Sequence, residues 1–341
     1  MPKQTIKGKL AVEILQQYPD APHRQLARML LYNNPSVFMS FDEARDVLRY
    51  HAGSHGEKNR RTLSDKSNIR PKENGAMKES NPFGLPKSHN DNWKPMRFPV
   101  KKGRGMLLFD AHIPYHDVRA VTMALQWGKE NGYTDYLFLG GDMIDCYMLS
   151  KFEKDPRKRH FRNELDDFSK FLDVLQKEYP NAIIIWKHGN HEDRLERYLK
   201  AKAPELFHLK DFIWDEYLGL SKRGVILVEA DVPLFVGKLN LIHGHELKGA
   251  SSQVNPARGA YLKAVECILE GHYHRTSMHA QNSFSRRLDT AWSVGCLCCL
   301  WPEYARINNW NYGFAGMEVN GNDFEIENMR IIEANSKWLI R

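Results

Sequence analysis

The sequence predicts an α/β fold in which two facing mixed β-sheets are flanked by helices, preceded by a small helical module. Three observations carry that prediction. Five short apolar runs, at 106–109, 136–139, 182–186, 239–242 and 267–269, read as buried strands. Helical periodicity fills the intervals between the first three runs and follows the third, at 118–130, 163–178 and 191–202. Beyond Gly271 the chain turns to strand-like runs at 290–294 and 313–319, with a turn signal at Asn320-Gly321.

At 341 residues, 42% hydrophobic and 27% charged, the chain is long enough for one large domain and a smaller one, each with its own core. The smaller one is expected at 1–55. Helical patterns run over 9–18 and 23–32, and a third opens at Ser40, where a serine three residues ahead of Glu43 makes a capping box, and ends near residue 51. Three short helices with tight turns resemble a helix-turn-helix module, with Arg45 and Arg49 on the third. Residues 56–104 read as a basic linker rich in Lys, Arg, Ser, Asn, Gly and Pro, including Arg60 and Arg61. Residues 105–341 form the α/β domain.

Charge separates these parts. Residues 1–105 hold 20 Lys and Arg against 10 Asp and Glu, and the rest of the chain holds 29 against 32. The excess positive charge is therefore N-terminal, which points to nucleic acid as partner, with Arg45, Arg49, Arg60 and Arg61 as contacts. The other reading of the module is a bundle that docks on a protein partner. The start of the chain has no apolar run suited to a signal peptide, and no stretch approaches a membrane span, so no membrane association is expected. Five cysteines without disulfide spacing fit a reducing, cytoplasmic setting. The Cys296-Leu297-Cys298-Cys299 cluster lacks a second thiolate pair for a four-ligand zinc site, and reads as part of a strand over 291–301.

Directly after the five apolar runs come Asp110-Ala111-His112, Gly141-Asp142-Met143-Ile144-Asp145, Gly189-Asn190-His191-Glu192, His243-Gly244-His245 and Gly271-His272-Tyr273-His274. Strand ends in α/β folds project side chains into a common crevice, so the five stretches are expected to converge on one dinuclear metal site. Two divalent ions about 3.5–4 Å apart can orient a phosphate ester, activate a water and stabilise charge on both sides of an in-line displacement. Such a pair needs a shared anionic bridge, which an aspartate supplies. Neutral imidazoles and a carboxamide oxygen complete the sites without repelling an anionic substrate.

In this order the stretches resemble the motif series of the calcineurin-like metallophosphoesterases: DxH, GDxxD, GNH followed by an acid, HG and GHxH. Each motif alone is weak, but five in order after five strands are specific, and they span the chain after the linker. The resemblance implies an αββα sandwich. It also implies Asp110, His112 and His274 on one metal, Asn190, His243 and His272 on the other, and Asp142 between them. His191 would face the scissile phosphate as the catalytic histidine, oriented by Asp145; a carboxylate partner keeps such a histidine available as a donor near neutral pH. The cofactors implied are two divalent ions, Mn²⁺ first, with Fe, Zn or Mg as alternatives. Weaker expectations are substrate contacts from Arg194, His116, His245 and Tyr273. The alternative for Arg194 is a surface pair with Asp193 or Glu196.

Two departures narrow the reading. Cys146-Tyr147 stands where the protein-phosphatase branch has Arg-Gly, and His191 is present where a non-catalytic trafficking branch lacks the histidine. No GxSxG elbow and no Walker A pattern occurs. The expected activity is phosphodiester hydrolysis on DNA or RNA. The alternatives are a phosphatase or small-diester hydrolase with a protein-binding module, and a non-catalytic scaffold.

Overall fold

The computed structural model describes residues 5–18, 21–52, 86, 93–152, 154–155, 157, 160–207, 209, 213–248, 254–284, 286–335 and 337–341. They fall into two compact units, one comprising the chain to Lys94 with Ser221–Ile226, the other Pro95–Leu220 with Leu227–Arg341.

The first unit contains α1 (Ile6–Gln17), α2 (His23–Asn33) and α3 (Phe41–His51). Thr5 caps α1 by accepting from the Gly8 amide, and Ser40 caps α3 by accepting from the Glu43 amide. The return arm of the expected capping box is shifted by one residue, because the Glu43 carboxylate takes the Met39 amide and Lys7. Ala11, Leu15, Leu26, Leu30, Phe38, Ala44 and Leu48 are buried in its core. Arg45 pairs with Asp42 at 3.0 Å and Asp46 at 3.6 Å, while Arg49 is exposed. Arg60 and Arg61 lie outside the described residues.

The second unit starts at Pro95 and not at residue 105. Its first strand, β1 (Met96–Arg97), pairs with Leu234 and Phe235, and Phe98 and Val100 are buried. These apolar anchors sit in a Lys- and Pro-rich context that hid them. The chain continues through β2 (Lys102–Leu108), α4 (Val118–Glu130), β3 (Tyr136–Leu139), α5 (Phe161–Glu178), β4 (Ile183–Lys187), α6 (Asp193–Lys202), α7 (Trp214–Leu218) and β5 (Ile226–Val228). It then forms β6 (Leu234–Val236), β7 (Leu239–Leu241), α8 (Pro256–Ala264), β8 (Cys267–Glu270), β9 (Ser277–Asn282), β10 (Leu288–Ser293), β11 (Tyr312–Asn320), β12 (Asp323–Ala334) and β13 (Lys337–Ile340).

Two mixed sheets result, ordered β1-β6-β7-β8-β10-β9 and β13-β12-β11-β2-β3-β4-β5. In the seven-stranded sheet β2, β3 and β4 are parallel neighbours, and β11 runs antiparallel to β2. In the six-stranded sheet β7 and β8 are parallel neighbours. Rings cross between the sheets where Trp292 meets Phe324. Outside the seven-stranded sheet, α5 packs Phe168 on Trp186 of β4 with ring centroids 4.6 Å apart, and Tyr179 donates to the Leu125 carbonyl of α4. On the other sheet, Ala257 and Ala260 of α8 are buried with Ile268 and Ala291.

The strand expected over 291–301 is shorter. β10 ends at Ser293, and Cys296 and Cys298 follow in irregular chain through single bridges to Tyr312 and His116. Among the described residues, no helix is long and apolar enough to cross a membrane.

Phe168 is fully buried against Trp186, so Phe168→Ala is expected to cost about 3–5 kcal/mol in urea denaturation. Truncating Phe152, which is 68% exposed, should change stability by less than about 0.5 kcal/mol.

Candidate metal centre

The expected convergence occurs within the second unit. Asp110 and His112 follow β2, Asp142 and Asp145 follow β3, and Asn190 and His191 follow β4, the three adjacent parallel strands of one sheet. His243 follows β7, while His272 and His274 follow β8, the parallel pair of the other sheet. The loops are sharply folded. Asp110, His112, Asp142, His272 and His274 all have left-handed backbones, with φ of 53°, 47°, 51°, 66° and 56°. Such conformations cost on the order of 1–3 kcal/mol each and persist only where the surroundings impose them.

Neighbouring loops impose them here. The His112 amide donates to the Asp142 carbonyl at 2.9 Å, the Ile113 amide to Met143 at 2.8 Å, and the Gly271 amide to His243 at 2.8 Å. The His272 amide donates to Asp110 Oδ2 at 2.8 Å, tying β8 to β2 across the two sheets. Packing is close enough to need glycine. A Cβ on Gly141, which has φ of 104°, would lie 2.5 Å from His243 Nδ1, and one on Gly189 would lie 2.3 Å from Asp142 Oδ1.

Asp142 is central. Its Oδ2 is 3.2 Å from His243 Nε2, 3.7 Å from His191 Nε2 and 3.9 Å from His112 Nε2. Asp142, His243 and His272 form one group with ligand-compatible spacing. On the other side Asp110 Oδ1 is 3.3 Å from His274 Nε2, which is 3.2 Å from His112 Nε2. Among the described residues three buried polar atoms make no well-aligned hydrogen bond: Asp110 Oδ1, Asn190 Oδ1 and His243 Nε2, of which the first faces His274 Nε2 and the last Asp142 Oδ2 as ion-pair contacts. Stranded polar atoms of this kind are costly, and a pair of cations between them would satisfy all three. The residues present therefore fit the two divalent ions that the motifs imply. Burial opposes charge on His243 and His274, yet the carboxylates of Asp142 and Asp110 outweigh it and raise both imidazoles to about 10 in the ion-free chain.

His191 stands beside the cluster. Its Nδ1 lies 3.1 Å from Asp145 Oδ1 and 2.8 Å from the Asp145 carbonyl. Burial lowers the His191 pKa, but Asp142 and Asp145 raise it by more. Asp145 also contacts Nδ1 of His112 at 3.1 Å, so one carboxylate braces both rings. Arg194 makes neither of the surface pairs expected for it. It donates to the Asp145 carbonyl at 2.8 Å and lies 2.7 Å from His191 Nε2, while Asp193 pairs with Arg197 and Glu196 with Lys200.

The flanking histidines divide. His245 remains near the centre, its ring 5.4 Å from His243 and 6.4 Å from His272, and burial lowers its pKa to about 4. Tyr273 lies 5.1 Å from the His272 ring. His116 is turned to Phe171 of α5, and its nearby charges are Asp167 and Asp117, so it does not join the centre.

Three supports were not legible in the motifs. The fully buried Glu192 carboxylate accepts the amides of Asp142, Met143, Ile144 and Gly189 at 2.7–3.2 Å, clamping two ligand loops together. Its only sequence signal is an acid at the end of the third stretch. Glu246 accepts the His243 and Gly244 amides and pairs with the fully buried Lys187 at 2.9 Å. Trp310 packs edge-on against His274, with centroids 4.1 Å apart.

No family model matches the chain, and no curated protein matches it. Solved structures do. Vacuolar protein sorting 29 from Cryptosporidium parvum is 14% identical, covering 71% of this chain and 97% of that one, with a TM-score of 0.37. Vps29 from Entamoeba histolytica, complexed with Zn²⁺, is 8% identical, covers 70% and 97%, and scores 0.36. Vps29 from Chaetomium thermophilum is 10% identical, covers 71% and 96%, and scores 0.35.

Glu192→Gln keeps the shape but turns an NH₂ toward backbone donors. It is expected to cost about 2–4 kcal/mol on denaturation and to weaken metal binding about 10- to 100-fold in a calorimetric titration. Glu246 carries a pH signature. Burial raises its pKa, Lys187 overrides that, and the carboxyl ends near 2. A depressed carboxyl stabilises the fold above its ordinary pKa of about 4.3 and loses that contribution as pH falls toward 2. Glu246→Gln should therefore destabilise by about 3–5 kcal/mol at pH 7, leaving Lys187 unpaired, with the gap to wild type narrowing below pH 4.5.

Proposed function

We propose that this protein is a dinuclear-metal-dependent phosphoester hydrolase of the calcineurin-like metallophosphoesterase type, acting on nucleic-acid phosphodiesters. One observation carries the reading. Ligand-type side chains from four other strand ends gather around Asp142, and among them His191 is held by Asp145.

Two divalent ions bound there would polarise a phosphoryl group and lower the pKa of a water toward neutrality. The chain's own residues supply the rest. Asp142 is the anion shared between the two ligand groups. Asp110 is the second carboxylate, and the remaining ligands are neutral, which leaves the loaded site net positive and attractive to a phosphate. His191 faces the site with Nε2, where a proton can pass to the leaving oxygen while Asp145 fixes Nδ1. Arg194, 2.7 Å from that same atom, can turn its N–H donors toward a non-bridging phosphate oxygen as substrate enters.

The nucleic-acid part rests on different support. The excess Lys and Arg lie in residues 1–105, and Tyr304, 51% exposed, stacks edge-on against Tyr115 near Asp145 and Arg194, offering an aromatic face for a base. A second reading has one observation in its favour: Arg45 is committed to Asp42 and Asp46, which suits a module that binds protein while the centre hydrolyses a smaller ester.

Purified protein supplied with Mn²⁺ and offered a bis-aryl phosphate, an aryl monophosphate, and labelled DNA and RNA separates these readings. The diester and nucleic acid should be cleaved faster than the monoester. His191→Ala should lower kcat about 10²- to 10⁴-fold with metal content unchanged. Cleavage at the wild-type rate by that variant would contradict the mechanism. Binding of nucleic acid by the full chain should weaken steeply as salt rises, and a flat response would favour the protein-binding reading.

A further inference from the structure

Behind the inward-facing edge of His274 lie two thiols that the proposed reaction does not use. Cys298 is 1% exposed, and its Sγ is 3.8 Å from His274 Nδ1. Cys296 is fully buried beside it, with its Sγ toward the carbonyls of Cys298 and Asn311. The opposite edge of the His274 ring points into the centre, where Nε2 is 3.3 Å from Asp110 Oδ1. That oxygen is fully buried and, among the described residues, makes no well-aligned hydrogen bond, so it and Nε2 face the same space.

An imidazole that binds metal through Nε2 carries its proton on Nδ1, and the group receiving that proton fixes the tautomer and the ring's rotation. Two of the other proposed ligand histidines have oxygen in this role. His112 Nδ1 contacts Asp145 at 3.1 Å, and His243 Nδ1 contacts the Gly140 carbonyl at 3.1 Å. At His274 Nδ1 the contact is sulfur. The backbone around Cys298 is fixed, since Leu297 donates to the Asp110 carbonyl and Cys299 to the Tyr115 carbonyl. Trp310 closes on the ring edge-on.

We propose that Cys298 is the positioning residue of His274, holding Nε2 toward the ion shared with Asp110 and His112. This rests on the dinuclear reading above. Sulfur is a weaker acceptor than a carboxylate or a carbonyl, so the ion on the His274 side is the more weakly held of the two. The two sites are thereby unequal by construction, although both draw on Asp142.

Cobalt titration of the full chain, followed by calorimetry and by visible and near-ultraviolet absorption, tests this. Wild type should take up two Co²⁺ in distinguishable steps, without an intense sulfur-to-cobalt charge-transfer band. Cys298→Val should weaken the second step about 10- to 100-fold and leave the first unchanged, and Cys298→Ser, whose hydroxyl can accept from Nδ1, should recover part of the loss. Two results would overturn the inference: unchanged binding in both variants, or a charge-transfer band in wild type that Cys298→Val removes, since the thiolate would then be a ligand. If Cys298→Val does not fold, the serine variant decides alone: a second step weakened less than about tenfold with the first unchanged supports the positioning role, and wild-type affinity in both steps, or loss of both, contradicts it. Wild type that takes up no cobalt contradicts the dinuclear reading itself, and the inference with it.

Discussion

Everything at the centre of this protein depends on the buried carboxylate of Asp142. Its Oδ1 accepts the His191 amide at 2.8 Å, its own amide is held by Glu192 at 3.0 Å, and its carbonyl receives the His112 amide. Its Oδ2 faces the imidazoles of His243, His191 and His112. A carboxylate taken wholly out of water is tolerated only with compensating charge and hydrogen bonds. The backbone amides supply part of that compensation. The remainder must be positive, as protonated imidazoles in the ion-free chain or divalent ions in the loaded one. The same demand explains the left-handed loops, because only such tight returns bring five strand ends within reach of one side chain.

That architecture also couples the groups proposed for binding and for proton transfer. Asp145 braces His112 and His191 together, so an inward-facing ligand and the proposed proton donor cannot reorient independently. Glu192 and Glu246 act one layer further out, fixing the loops that carry Asp142, Asn190 and His243. The site thus gains its rigidity from carboxylates bonded to backbone amides, a support suited to holding ligand positions within a few tenths of an ångström.

Much of this was legible in the sequence. The strands read clearly because runs such as Tyr136–Leu139 and Ile183–Lys187 are buried on both faces, and the candidate ligands could be placed because each follows a strand end by two to four residues. Less visible were features whose partner is distant or is a backbone group. Nothing local announces that Glu192 will receive four amides, that Lys187 will be buried against Glu246, or that Cys298 will lie behind His274. His116 sits four residues after His112 yet turns outward, because its backbone bridges to Cys298 and its ring packs on Phe171. β1 escaped because two residues carry no periodicity. The substrate was the least legible part, since the motif resemblance implies a phosphoester without saying which, while the basic segment ahead of it speaks only of charge.

The most direct test of the central claim is electron paramagnetic resonance of the full chain loaded with Mn²⁺. Two ions sharing Asp142 at about 3.5–4 Å should give an exchange-coupled spectrum at two Mn²⁺ per chain. Asp142→Asn should abolish the coupling. An isolated-ion spectrum at saturating Mn²⁺, or coupling that survives loss of Asp142, would contradict the account.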